Sequence, residues 1–454
     1  MLPATYQSER DATKDYAFLS LNSNIGNTLG YLGWTTSVSV GNTMALTGYA
    51  GEHAYELWEG IGQIKSTSGT KRYSAGRPSA LRWGRAGPSF AGPGALGRLA
   101  LGRDLMRKGN HGGDWAAYQA KHDALPRLDF SANVSPLGPP EGVKRAMREA
   151  IEHVAQYPDP RCCALRKALG EHHGVDPAHI LCGNGAADLI DRLALALRPK
   201  RALVTAPTFS EYAEALERVG GQVMSFLLRE EDGFALTPEI LDAITPDLDV
   251  LFLCEPNNPT GRTTAPGLLQ AILEKCRACG VLVVLDECFA PFLSTPRSQI
   301  PVLRVYRLLI LRAFTKFYGL AGVRLGYCLC ADTALLDRMA LAGQPWPVSN
   351  LAQAAGVAAL RETAYAEKLR ALLAQQRPWL KQQLERQGCF VLPGEANYLL
   401  FRSPDPKLGQ RLERQGVLIR TCADYDGLGP NWFRVAVRTA AENQRLIKTM
   451  EGLL

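Results

Sequence analysis

The chain has 454 residues, 46% hydrophobic and 21% charged, which is enough apolar material for at least two cores. No uninterrupted apolar run of about 18 residues occurs, which argues against a transmembrane span, and the first residues lack the apolar stretch of a signal peptide, so a cytoplasmic protein is expected. The formal charge of +7 is local: residues 65–108 hold ten Lys/Arg against one acid, Asp104, and the rest of the chain sums to about −2, so nucleic acid is not an expected partner.

In chain order, residues 1–66 read as short β-type runs (16–21, 35–40, 43–47) separated by turn residues. Residues 67–108, rich in Gly, Ala, Arg and Pro, read as a disordered basic linker. From residue 109 the pattern changes. Short apolar runs at 202–205, 223–227, 250–254, 281–285, 308–311 and 326–329 alternate with helical periods at 186–197, 210–219 and 266–279. That alternation predicts an α/β fold with a mostly parallel sheet covered on both faces. A helical stretch at 353–387 and later short strands predict a smaller second domain. The expected divisions are an N-terminal arm at 109–165 joining the small domain, a large domain at 166–350 and a small C-terminal domain at 351–454. The eleven cysteines, none before Cys162, suit reduced thiols. Cys276-x-x-Cys279 has no second Cys/His pair at ligand spacing, so no metal is expected.

Four features in the strand-helix region bear chemistry. Lys316 follows the buried-type run 308–311; an amine there suits a Schiff base to an aldehyde cofactor, or simply a lysine surfacing at a strand end. Asp286 directly follows five apolar residues and needs a cationic partner, such as a protonated pyridine nitrogen, or it caps the next loop. Residues 256–261 (PNNPTG) form a rigid turn after a strand, where α/β proteins place ligands; Asn258 there could donate to a phenolic oxygen, or the turn is only a turn. Gly183-Asn184-Gly185 precedes a helix whose free N–H groups suit an anion, though such a turn also occurs without one.

Taken together and in this order, the four resemble pyridoxal-phosphate enzymes of fold type I. Residues 110–113 (NHGG), 128–138 (LDFSANVSPLG), 157–159 (YPD), 344–350 (QPWPVSN), 396–400 (ANYLL) and 418–425 (LIRTCADY) resemble the threonine-phosphate decarboxylase branch of cobalamin biosynthesis, with histidinol-phosphate aminotransferases next. The resemblance runs from about residue 109 to the C-terminus. It implies pyridoxal 5'-phosphate as cofactor, bound through Lys316, with Asp286 on its pyridine nitrogen, Asn258 on its phenolic oxygen and Phe209 stacked on its ring. Gly185, Ala186, Ala187, Arg324 and, from a partner subunit, Tyr157 would hold its phosphate. Arg434 would bind the substrate carboxylate, His111 and Arg420 the substrate phosphate, and Asn133 and Asn397 would frame the amino-acid end. A homodimer acting on a small phosphorylated amino acid follows.

The implied reaction is decarboxylation of L-threonine O-3-phosphate to (R)-1-amino-2-propanol O-2-phosphate. The alternative is transamination of a phosphorylated amino acid. A non-catalytic binding module on the same fold is the third reading, and retention of Lys316, Asp286, Arg324 and Arg434 argues against it. Two family positions that usually carry hydroxyl or acidic donors are Ala187 and Ala313, which shifts cofactor phosphate binding onto Arg324 and backbone amides. Phe289, where many aminotransferases have Tyr, resembles the decarboxylases. Separately, residues 1–66 resemble a fragment of a glutamyl-endopeptidase-type serine peptidase (Asp15-Tyr16-Ala17, Ile25-Gly26, Gly33-Trp34, TGYAGE at 47–52). It lacks an upstream His and a Gly-x-Ser-Gly turn, so no peptidase activity is expected.

Overall fold

Apolar runs too short for helices and flanked by turn residues become strands, and their burial on both faces sets the layers. The computed structural model describes three strands within residues 43–75, then residues 111–295 and 297–453. The chain divides into two units, 1–103 and 104–454. In the first, β1 (Thr43–Tyr49), β2 (Leu57–Thr67) and β3 (Thr70–Ala75) form an antiparallel sheet in that order. The β-run at 43–47 lies inside β1; those at 16–21 and 35–40, and Asp15, fall outside the described residues. β3 falls inside the stretch expected to be linker. Its register pairs Thr67 with Thr70 across Ser68-Gly69, a two-residue hairpin signal that the compositional reading of 67–108 overlooked.

In the second unit β4 (Leu128–Asp129) precedes seven strands of one sheet: β5 (Ile180–Gly183), β6 (Arg201–Ala206), β7 (Gln222–Leu227), β8 (Val250–Cys254), β9 (Leu282–Asp286), β10 (Leu308–Ala313) and β11 (Gly326–Cys330). Their order is β5-β11-β10-β9-β8-β6-β7, parallel except for β11. All six predicted strands are present. β5, four residues long, was legible only as the approach to the Gly-Asn-Gly turn. The helices Gly185–Leu197, Glu211–Arg218 and Pro266–Cys279 cover the sheet. β12 (Phe390–Val391), β13 (Tyr398–Arg402), β15 (Arg420–Thr421) and β16 (Trp432–Ala436) make a four-stranded sheet, and β14 (Val417–Leu418) pairs with β4.

The cores divide the chain differently from the expected boundaries. Val143 and Leu165, expected in an arm of the small domain, pack in the main-sheet core with Leu285 and Ile310, as do Ala352, Ala355 and Ala359 from beyond residue 350. The cause is helix pairing: Asn350–Ala359 lies against both Glu141–Ile151 and Cys163–His173. Of the arm, Leu128 and Phe130 join the second core, with Leu137 packed against it; Phe289, Phe292 and Phe317 contribute from the main-sheet segment, and the core continues from Leu369. The single helical stretch expected at 353–387 is therefore two helices, Asn350–Ala359 and Thr363–Arg386, one in each core.

Ile310, fully buried on β10 between β9 and β11, tests the role of this core. Ile310→Ala is expected to cost about 2–5 kcal/mol, read from the denaturant midpoint; a loss below about 1 kcal/mol would contradict the close packing argued for this strand.

Candidate active site

The parallel strands β8, β9 and β10 end side by side, and the loops leaving their carboxyl ends build one cavity of about 340 Å³. Register places Asp286 beside Cys254 of β8 and Leu311 of β10. Lys316 sits in the short helix Phe314–Phe317 that follows β10, and its amine shares the cavity with Asp286.

Asp286 is buried, and its two oxygens are engaged separately. Oδ2 accepts from the Tyr212 hydroxyl at 2.6 Å, and Oδ1 accepts from the Cys288 amide at 2.9 Å. Burial and the Asp286 charge hold the Tyr212 hydroxyl well above its usual pKa, so Tyr212 stays a donor. Burial, reinforced by the same carboxylate, pushes the thiols of Cys254 and Cys288 well up, which removes them as competing nucleophiles. Lys316 moves the other way. Burial, then the Arg434 and Arg324 cations, bring its amine down to about 8, with Cys288 and Asp286 opposing. A lysine so shifted is a usable nucleophile near neutral pH.

The anion cradle is built by backbone. Gly185 begins its helix at φ 82°, and Asn184 gives no side-chain cap, so the first-turn N–H groups beside Ala186 and Ala187 are left for a ligand. Arg324, itself at φ 58°, lies so close that a Cβ on Gly185 would stand 2.6 Å from its Nη2. Across the cavity Arg434 is buried and fixed: Nη1 donates to the Asn258 Oδ1, Nη2 to the Ser131 carbonyl at 2.8 Å, and the guanidinium stacks 5.5 Å over the Tyr398 ring. Its Nε has no hydrogen-bond partner among the described residues. At the mouth, His111 Nε2 lies 3.0 Å from Glu211 Oε1, and Arg420 pairs with Asp424 at 2.7 Å under the Tyr425 ring.

The cavity thus brings together His111, Asn133, Ala186, Ala187 and Phe209 with Asn258, Asp286, Lys316, Arg324, Arg420 and Arg434. Asn397 stands one layer back. It is fully buried and donates to the Asn133 carbonyl at 3.0 Å, and the Oδ1 atoms of both Asn133 and Asn397 lack partners. Tyr157 is not brought to this cavity. It is 80% exposed and stacks on Trp346 with ring centroids 4.6 Å apart. Asn258 meets Arg434 as well as the cavity. Tyr212, Glu211 and Ser131 were missed in the sequence. Tyr212 and Glu211 carry no local signal beyond following Phe209 at a helix start, and Ser131 acts through a backbone carbonyl that sequence does not display.

These residues fit pyridoxal phosphate on their own chemistry. They include a deprotonatable buried amine, a carboxylate already held by two donors, a cradle of uncapped amides with an arginine, and an arginine with an unpartnered buried Nε. Phe209 contributes an aromatic wall, T-shaped to Tyr212 at 5.5 Å.

Two measurements test the site. Capture of an aldehyde needs the neutral amine, so the rate at which the apoprotein takes up pyridoxal phosphate, followed by absorbance, should rise through about pH 8 and level above it. A rate still climbing beyond pH 10 would mean Lys316 titrates as an ordinary lysine. In Gly326→Ala the new Cβ would stand 2.6 Å from both the Ala186 nitrogen and the Gly185 carbonyl carbon, backbone atoms that cannot swing away. Loss of one charge-assisted bond to the phosphate would weaken cofactor binding roughly ten- to a hundredfold in a fluorescence titration, and an unchanged Kd would take the cradle out of the site.

The sequence profile of the family "Aminotransferase class I and II" matches residues 126–450. Threonine-phosphate decarboxylase of Salmonella typhimurium is 42% identical over 331 residues, 72% of this chain and 91% of that protein. Histidinol-phosphate aminotransferase 2 of Ralstonia nicotianae is 36% identical over 344 residues, 73% of this chain and 90% of that protein. Among solved structures, histidinol-phosphate aminotransferase from Clostridium acetobutylicum superposes with TM-score 0.68 at 26% identity, covering 72% of this chain and 98% of that one. L-threonine-O-3-phosphate decarboxylase from Porphyromonas gingivalis gives 0.64 at 25%, covering 72% and 99%. The strand order and these matches agree, and the chain belongs to the aminotransferase class I and II family, the pyridoxal-phosphate enzymes of fold type I.

Proposed function

We propose that the chain is a pyridoxal-phosphate-dependent carboxy-lyase that converts L-threonine O-3-phosphate to CO₂ and (R)-1-amino-2-propanol O-2-phosphate, a step of cobalamin biosynthesis. The observation that carries this reading is the 42% identity to the Salmonella typhimurium threonine-phosphate decarboxylase across 91% of its length. Phe289 supports it: the ring is buried, lines the cavity and meets Tyr398 edge-on, and it offers no hydroxyl to the cofactor.

Lys316 would hold the cofactor aldehyde covalently, Asp286 its ring nitrogen, and Phe209 the ring face. Arg324 and the amides from Gly185 to Ala187 would hold the phosphate, with Tyr157 reaching over from a partner subunit. Bound so, the cofactor supplies an electron sink for the pair left at Cα when a substituent departs. Asp286 keeps the ring nitrogen cationic, and Tyr212 keeps Asp286 oriented as an acceptor. Arg434 would bind the substrate carboxylate with the fork that Asn258 and Ser131 hold in place. His111 and Arg420 would bind the substrate phosphate, and Asn133 with Asn397 would line the amino-acid end. The Lys316 Nζ, which lines the cavity, would deliver the proton that Cα takes up.

A cytoplasmic homodimer completes the reading. Ile151, Val154 and Tyr157 are large hydrophobic side chains at least half exposed, and Tyr157 stacks on the exposed Trp346 ring, which suits burial against a second copy.

Transamination is the second reading, supported by the 36% identity to the Ralstonia nicotianae histidinol-phosphate aminotransferase. Product analysis separates the two. Threonine phosphate should yield CO₂ and the amino-alcohol phosphate with no added 2-oxo acid, and Lys316→Ala should yield neither. Amino transfer to an added 2-oxo acid without CO₂ release would replace the decarboxylase reading with the aminotransferase one.

A further inference from the structure

A second cavity of about 380 Å³ lies behind the Lys316 turn, between the two cores. Ala313 is the one lining residue it shares with the active site. The chain alternates across this layer: Asp286 and Lys316 face the first cavity, whereas Arg312 faces the second, paired at 2.6 Å with Glu287, the residue after Asp286.

The floor of this second cavity is polar and incompletely satisfied. Arg312 uses Nη2 on Glu287, while its buried Nε has no partner. Arg370 donates Nε to the Pro291 carbonyl at 3.0 Å, lies over the Phe317 ring, and has no carboxylate among its described partners. His173 is bonded to the Tyr327 hydroxyl at 2.7 Å, and burial together with the Arg312 charge keeps it neutral, at about 3. The walls are apolar, including Phe314 and Phe317, and Glu362 and Glu367 are the carboxylates at the opening. The guanidiniums of Arg312 and Arg370 both line the cavity, and such groups recognise an oxyanion. The apolar walls call for an organic body; Arg297, which also lines the cavity, is paired with Glu395 at 3.5 Å, and Glu362 and Glu367 offset the remaining guanidinium charge, which disfavours a multiply charged ligand.

We propose that this cavity binds a small organic monocarboxylate, its carboxylate on Arg312 and Arg370 and its body against Phe314 and Phe317. Through Phe317, the neighbour of Lys316, such a ligand touches the lysine-bearing turn from the side opposite the substrate. The inference does not depend on which reaction the active site performs.

Benzoate is the probe, titrated calorimetrically into pyridoxal-phosphate-loaded enzyme carrying Arg434→Gln, so that the substrate-carboxylate position does not contribute. One benzoate should bind per chain. Adding Arg370→Gln, which leaves the buried Arg312–Glu287 pair intact, should weaken binding about tenfold or more, as should adding Arg312→Gln with Glu287→Gln, which leaves no charge unpaired. The proposal is overturned if the Arg434→Gln enzyme binds no benzoate, if both added changes leave affinity unaltered, or if inorganic phosphate binds as tightly as benzoate.

Discussion

A carboxylate removed from water at the end of a five-residue apolar strand constrains everything around it. Among the described residues no cationic side chain is bonded to Asp286; its oxygens are met by a phenol and an amide. Those two bonds orient the group as an acceptor, which is what a protonated ring nitrogen requires. The surrounding cations, Arg324 and Arg434, are spread around the cavity, and together with burial they bring the Lys316 amine down. The same charge distribution therefore prepares an acceptor at one end of the cavity and a nucleophile at the other.

The sheet explains how so much charge is tolerated so deep. β9 and β10 are apolar along their length and polar only where they end, and the residues after β9 fall on alternate sides. Asp286 serves the catalytic cavity. Glu287 neutralises Arg312 behind it, with Arg312 largely buried. A buried ion pair of this kind contributes little net stability but is costly to break on one side only. Its position one residue from both Asp286 and Ala313 ties the two cavities to the same pair of strand ends.

Much of this was legible in the sequence because charges at the ends of apolar runs stand out. Lys316 and Asp286 were visible for that reason, and so were the strands that carry them. Arg312 gives the same signal, between Leu311 and Ala313, but it was overlooked because its partner Glu287 sits beside the more conspicuous Asp286. Tyr212 was invisible: a tyrosine in an amphipathic helix gives no sign that its hydroxyl reaches a carboxylate 74 residues away. The domain limits failed at Asn350–Ala359, because a helix of small residues reads equally well as the start of the next domain. Which core it joins is decided by Glu141–Ile151 and Cys163–His173, elements distant in sequence. Tyr157 entered through resemblance alone, and its exposed stack on Trp346 is a feature of surface, not of the cavity.

The arrangement of arginines bears on how the proposed reaction gains its rate. A carboxylate that must depart as CO₂ loses its charge in the process, so an arginine gripping it tightly would stabilise the reactant more than the transition state. Arg434 is already engaged by Asn258, the Ser131 carbonyl and the Tyr398 ring, which divides its bonding capacity before any substrate arrives. The substrate phosphate is unchanged by the chemistry. Binding drawn from His111 and Arg420, the proposed phosphate ligands, would be uniform through the reaction and would hold the molecule in a reactive orientation without favouring the intact carboxylate. A phosphorylated substrate thus suits a decarboxylase for a physical reason: its strongest handle is the end that does not react.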